Sequence, residues 1–160
     1  MIKRLLLEDV DVCIGIEPLQ VLGEDGKDIK DQLPNNPTVE DYKPIIKEFQ
    51  KRFNSNQLAM TFRKSLSVNR NKLFALLSDG NNFYQSTEVE VEIVDRVGAG
   101  DSFYSGLIYS LISNFEPQKA IDFATGCFAL KHTLEGDMNL LTAADIEQFI
   151  NHKDAFSIKR

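Results

Sequence analysis

Between Thr38 and Phe53 the apolar side chains Tyr42, Ile45, Ile46, Phe49 and Phe53 recur at three- and four-residue spacing. That period predicts a helix of about four turns, with Thr38 as its N-cap and Asp41 placed to answer it. The period then changes. Leu58 to Phe62 and Leu73 to Leu77 are short apolar runs of strand type, and Asp79-Gly80-Asn81-Asn82 predicts a hairpin turn into Phe83-Tyr84-Gln85. From Val89 to Val94, Val89, Val91 and Ile93 alternate with Glu88, Glu90 and Glu92, a strand with one wet face. Helical spacing returns from Ser102 to about Ser113, with Phe103, Leu107, Ile108 and Leu111 as its core side. It recurs from Pro117 to about His132 and from Ala143 to Ile150, where Thr142 and Asp145 repeat the capping pattern.

The start of the chain is less regular. Met1 to Glu8 has the pattern of a short amphipathic helix, and Val10 to Ile14 that of a strand. Glu17 to Pro37, rich in Gly, Pro and Asn, predicts mostly loop, with a helical turn around Pro18 to Leu22. The order strand, helix, strands, hairpin, strand, helices is an α/β layout with a mixed sheet.

Composition narrows the function classes. At 160 residues the chain is long enough for one domain with a sizeable core, and 42% apolar with 26% charged residues is ordinary for a globular protein. The net charge of −6, without a Lys/Arg block, argues against nucleic acid as a partner. No apolar run approaches the roughly 18 residues of a membrane helix, and acids interrupt the N-terminal segment too early for a signal peptide. A cytoplasmic location is the expectation. Cys13 and Cys127 lie in apolar segments without metal-like spacing and are read as buried free thiols.

The chemistry concentrates where the alternating strand runs into Gly98-Ala99-Gly100-Asp101. A strand that ends in small residues and opens a helix gathers unpaired N–H groups at the positive end of the helix dipole, which is a place for phosphate. A carboxylate beside such a site repels the ligand, unless it takes a proton from the group attacking the phosphate. A helix-capping Asp after a tight turn is the plainer alternative. A P-loop is unsupported, because G-x-x-x-x-G-K-[ST] does not occur. A Rossmann dinucleotide site would need an acidic strand end about 20 residues on, where this sequence predicts helices.

Asp95, the Gly98–Asp101 turn and Phe103 form D-x-x-G-A-G-D-x-F, which resembles the signature of the ribokinase-like (PfkB) carbohydrate kinases, with Arg96 where Thr is usual. Within that family, IVDRVGAGDSFYSGLIYSL looks most like the 2-keto-3-deoxygluconate kinases. Asp11 to Gly15, Leu58 to Ser65 and Ala124 to Asp137 resemble further family segments around magnesium, nucleotide and adenine. The resemblance implies part of a three-layer α/β/α fold, with a mixed sheet, a β-hairpin and C-terminal helices. It implies Mg-ATP and a small sugar acid as ligands, and a monovalent cation beside Asp95. Gly98, Ala99 and Gly100 would form the anion hole and Asp101 the base, with Thr61, Lys64, Ser65 and Thr125 near the nucleotide. Ile16 and Leu19 replace the Asn and acid expected near magnesium, leaving Glu17 alone. The family fold is about twice as long, so the substrate and lid half is expected to be absent, and self-association or a complementing half to cover the exposed sheet. A catalytically incompetent remnant that binds nucleotide, or serves as a structural partner, is the other reading. His132 is read as a dipole partner at a helix end.

Overall fold

The computed structural model describes residues 10–16 and 20–151. The readings for Met1 to Glu8, Glu17 and Leu19 fall outside these residues. Contacts divide the chain into two units, one of residues 1–60 and 76–83, the other of residues 61–75 and 84–160.

In the first unit, β1 (Val12–Ile14) pairs in parallel with β2 (Gln57–Ser65), Val12 lying opposite Gln57 and Ile14 opposite Ala59. Between them runs α1 (Val39–Phe53), as its period predicts. The Asp41 carboxylate accepts the Thr38 N–H and hydroxyl, both at 2.7 Å. The helix buries Ile45, Ile46, Phe49 and Gln50. Gln50 is the polar exception in that face, and its amide is fully used: it donates to the carbonyls of Ser55 and Asn56 and accepts from the Ser78 hydroxyl at 2.7 Å. Ser78→Ala strands the buried Gln50 oxygen, and is expected to cost about 2 kcal/mol in urea denaturation. A loss below the error of that measurement would mean that the amide finds another donor.

The helical turn read around Pro18 to Leu22 is not formed in its described part. Leu22 instead bridges to Asp28, and a short 3-10 helix follows at Ile29–Gln32, capped by the Asp28 carboxylate. A long loop can satisfy its backbone through local Asx contacts that leave no apolar period to read.

In the second unit, β3 (Arg70–Ser78) pairs antiparallel with β5 (Val89–Glu92) through Arg70 opposite Glu92 and Leu73 opposite Val89. β4 (Phe83–Gln85) also belongs to the sheet. The alternation in β5 is explained by its partner: Val89 and Val91 are buried, while Glu90 and Glu88 pair with Arg70 and Lys72 of β3. β2 and β3 each run past the apolar cores that announce them, because the polar residues Arg63 to Ser65 and Arg70 to Lys72 remain in the ladder. The turn joining them closes with the Leu66 and Ser67 N–H groups on the Arg70 carbonyl.

Three helices complete the second unit: α2 (Ala99–Ile112), α3 (Pro117–Lys131) and α4 (Ala143–Asn151). α2 and α3 approach closely enough that a Cβ on Gly106 would sit 2.6 Å from the Cys127 sulfur. The Ser102 hydroxyl adds a bond to the Cys127 carbonyl at 3.0 Å. Phe103 and Leu107 are buried as expected, but Ile108 is 55% exposed and Leu111 half-buried. Ser110 takes the buried position instead, its hydroxyl satisfied by the Gly106 carbonyl of the same helix at 2.8 Å. Cys13 and Cys127 are buried and not in a disulfide, Cys13 donating to the Gly15 carbonyl, and burial pushes the Cys127 thiol up to about 12.

Candidate functional site

The turn that leads into α2 is built by β5 and α3 together. Once β5 ends, the Val94 and Asp95 N–H groups both donate to the His132 carbonyl, at 2.9 and 3.2 Å, where α3 finishes. The Asp95 carboxylate then organises the loop around itself. One oxygen accepts the N–H groups of Arg96 (2.6 Å) and Val97 (3.1 Å), and the other accepts that of Gly136 (2.9 Å). These bonds hold its carboxyl below the usual range, Val97 contributing most, then Gly136 and Arg96, with the Lys131 charge helping. Asp95 is thus the carboxylate that ties the strand end to the 132–137 loop.

Gly98 is the N-cap of α2 at φ 72°, in the left-handed region that glycine alone enters freely. Its α-carbon is pressed against the loop: an added Cβ would lie 2.3 Å from the Asp137 carbonyl oxygen. A Cβ on Gly100 would meet nothing. The Ala99 N–H leans on the Arg96 carbonyl at 3.4 Å, whereas the Gly98, Gly100 and Asp101 N–H groups find no acceptor among the described residues. They sit where the helix dipole is positive.

Asp101 is exposed and lines a cleft of about 570 Å³ with Gly98, Asp137 and Asn139 at its polar side and Tyr109 and Phe123 at its apolar side. Asn139 donates to the Ser102 hydroxyl at 2.6 Å, which anchors the cleft wall to α2. Gly136, Asp137 and Asn139 were not singled out from the sequence as contributors to this turn. Gly136 and Asp137 entered only as the end of the Ala124 to Asp137 segment that resembles the family.

The expected nucleotide residues are more scattered. Thr61, Lys64 and Ser65 are exposed on β2, and Ser65 bonds to the Ser67 carbonyl and the Asn71 side chain. None of the three lines the cleft. Thr125 lies inside α3, 1% exposed, with its hydroxyl unpartnered.

His132 caps the end of α3, where it was read, and is fully buried. Its Nδ1 faces the Phe128 carbonyl at 2.7 Å and must carry the proton, so Nε2 accepts from the Arg63 guanidinium at 3.2 Å. Burial lowers its pKa from 6.5, and the charges of Arg63, Arg96 and Lys131 lower it further against the pull of the Phe128 carbonyl. The unfolded chain therefore takes up a proton first as pH falls. The His132 contribution to stability is complete above about 6.5 and is lost as pH drops through the folded value. Urea midpoints in the native protein should decline between pH 7.5 and 5.5 more steeply than in His132→Gln; parallel profiles would dismiss the effect.

Residues 56–144 match the model of the pfkB family carbohydrate kinases. The chain belongs to this family. It is 28% identical over 92 residues to a 2-dehydro-3-deoxygalactonokinase of Haloferax volcanii, an alignment covering 58% of this chain and 29% of the relative. The crystal structure of a 2-dehydro-3-deoxygluconokinase of Thermotoga maritima superposes with a TM-score of 0.77 at 31% identity, covering 91% of this chain and 43% of that one. A candidate ribokinase II of E. coli, solved in complex with ATP and Mg²⁺, shares the fold at a TM-score of 0.60 and 22% identity, covering 93% and 42%. This pfkB chain thus spans less than half the length of these relatives. The ribokinase-like α/β reading holds, and the Rossmann alternative falls, since α2 leads into α3 rather than into a further strand. No helix among the described residues is long and apolar enough to cross a membrane.

Proposed function

We propose that this chain supplies the phosphate-stabilising and proton-accepting part of an ATP-dependent sugar-acid kinase, with 2-keto-3-deoxygluconate as acceptor and its primary hydroxyl as nucleophile. The observation that carries the reading is the exposed Asp101 carboxylate in the same helical turn as the unpaired N–H groups of Gly100 and Asp101, at the edge of an open cleft. Donors fixed before the reaction stabilise charge as it gathers on the transferring phosphoryl oxygens, and cost no reorganisation when it does. Asp101 accepts the hydroxyl proton as attack makes that hydroxyl acidic. Identity to deoxygluconate and deoxygalactonate kinases supports the sugar-acid class.

Glu17, the acid expected near magnesium, lies outside the described residues. No group of three or more His, Cys, Asp or Glu side chains among them is arranged to hold a metal ion, and Ile16, 2% exposed, offers no oxygen. The apolar side chain of Ile16, where the family resemblance expects an oxygen ligand, favours a second reading, in which the chain binds nucleotide without turning it over.

Calorimetric titration of Mg-ATP into the purified chain, followed by an assay of sugar-acid-dependent ADP formation with and without a co-expressed N-terminal half, separates the two. Heat of binding together with ADP formation in the complemented pair supports the kinase part. Binding with no ADP in either arm leaves the nucleotide-binding remnant, and no heat at millimolar ATP ends both readings for the isolated chain.

A further inference from the structure

The family resemblance places a monovalent cation beside Asp95, and the geometry does not suit one. Both Asp95 oxygens already accept backbone N–H groups, three in all. The carbonyl oxygens nearest that carboxylate's partner loop, those of Leu134 and Gly136, are also engaged. Both accept from the Lys131 ammonium, at 3.2 Å for Leu134 and more closely for Gly136. Lys131 is 0% exposed, the last residue of α3, and its side chain bends back over the loop that follows it. A buried ammonium is retained only where its protons are accepted and its charge is answered. Here two carbonyls do the first, and Asp95, beyond ion-pair distance, feels the Lys131 charge as the weakest of the influences on it.

We propose that the Lys131 ammonium is the resident cation of this site, a tethered charge that holds the 134–136 turn against Asp95 and Gly98 and leaves no place for potassium. The connection is continuous. Lys131 fixes the carbonyl of Gly136, whose N–H is fixed on Asp95. The next residue, Asp137, presents the carbonyl against which Gly98 packs at the start of α2. Lys131 is therefore a positioning residue: it touches no substrate, and acts through the loop that sets the free N–H groups of Gly100 and Asp101.

The inference rests on the kinase reading for the meaning of the site, but its test does not depend on ATP binding. Melting of the whole chain is followed by circular dichroism in potassium chloride and in tetramethylammonium chloride at matched ionic strength. The native protein is expected to melt at the same temperature in both; a rise specific to potassium shows an ion site and overturns the proposal. Lys131→Met is expected to melt roughly 5 °C lower in tetramethylammonium, because two carbonyls lose their donor. Potassium or ammonium should recover part of that loss by entering the vacated carbonyl pair. A variant that melts as the native protein does, or a loss that no small cation recovers, reduces Lys131 to packing. Should the variant fail to fold, the two salts on the native protein still decide. In the same salts, Mg-ATP affinity of the native chain should differ by less than about twofold, and that arm alone fails if the kinase reading is wrong.

Discussion

Gly98→Ala is expected to abolish measurable Mg-ATP binding and to lower stability by about 3 kcal/mol or more. Two independent costs meet at this residue. The left-handed conformation at φ 72° costs a residue with a Cβ roughly 1–2 kcal/mol. The added carbon would also sit 2.3 Å from the Asp137 carbonyl oxygen, and backbone on both sides of that contact means that no side-chain rotation relieves it. The loop must retreat, taking the Gly136 N–H from Asp95, or the turn must unwind and redirect the donors of the first helical turn. Gly100→Ala is the control, because its Cβ meets open space and should leave folding unchanged. Urea denaturation and ATP calorimetry on both variants check this. If Gly98→Ala binds ATP within a few-fold of the native chain, the packed left-handed turn is not what holds the phosphate.

Asp101→Asn is expected to reduce turnover by roughly a hundred- to ten-thousand-fold while ATP affinity stays within a few-fold, the range for loss of a positioned general base. The substitution keeps size and helix position but removes the proton acceptor, and it also removes a negative charge beside the phosphate donors. Binding should therefore hold or improve as the chemistry fails. The measurement is steady-state ADP formation by the chain paired with the N-terminal half, alongside calorimetry. Full activity in the variant would remove Asp101 as the base; equal loss of binding and turnover would recast it as a cap of α2.

Strong periods in the sequence translate directly into elements. Tyr42 to Phe53 forms α1, and the Val/Glu alternation forms β5 because Arg70 and Lys72 wait opposite. Where polar residues stay in a ladder, as at Arg63 to Ser65, the apolar pattern stops before the strand does. Ile108 and Ser110 show the converse: a serine whose hydroxyl returns to its own helix is buried at little cost, so the inner face turns away from the more apolar residue. At the site, the Gly98–Asp101 turn was legible as the opening of α2, because small residues between a strand and a helical apolar period mark a helix start. The role of Lys131 and the burial of His132 were not, since their bonds go to main-chain carbonyls of the loop and of α3, and carbonyls have no letter in a sequence. The hold of the Asp95 carboxylate on the Gly136 N–H has no sequence signal either.

The displaced face of α2 has a thermal consequence. Tyr104, Ile108 and Ile112 stand one turn apart on the outside of the helix, at 41%, 55% and 74% exposure. Any body that covers them removes apolar surface from water, a process driven near room temperature by solvent entropy and marked by a negative heat-capacity change. Association through this helix should therefore tighten as the solution warms from the cold and respond weakly to salt, unlike contacts made through the charged rim of β5.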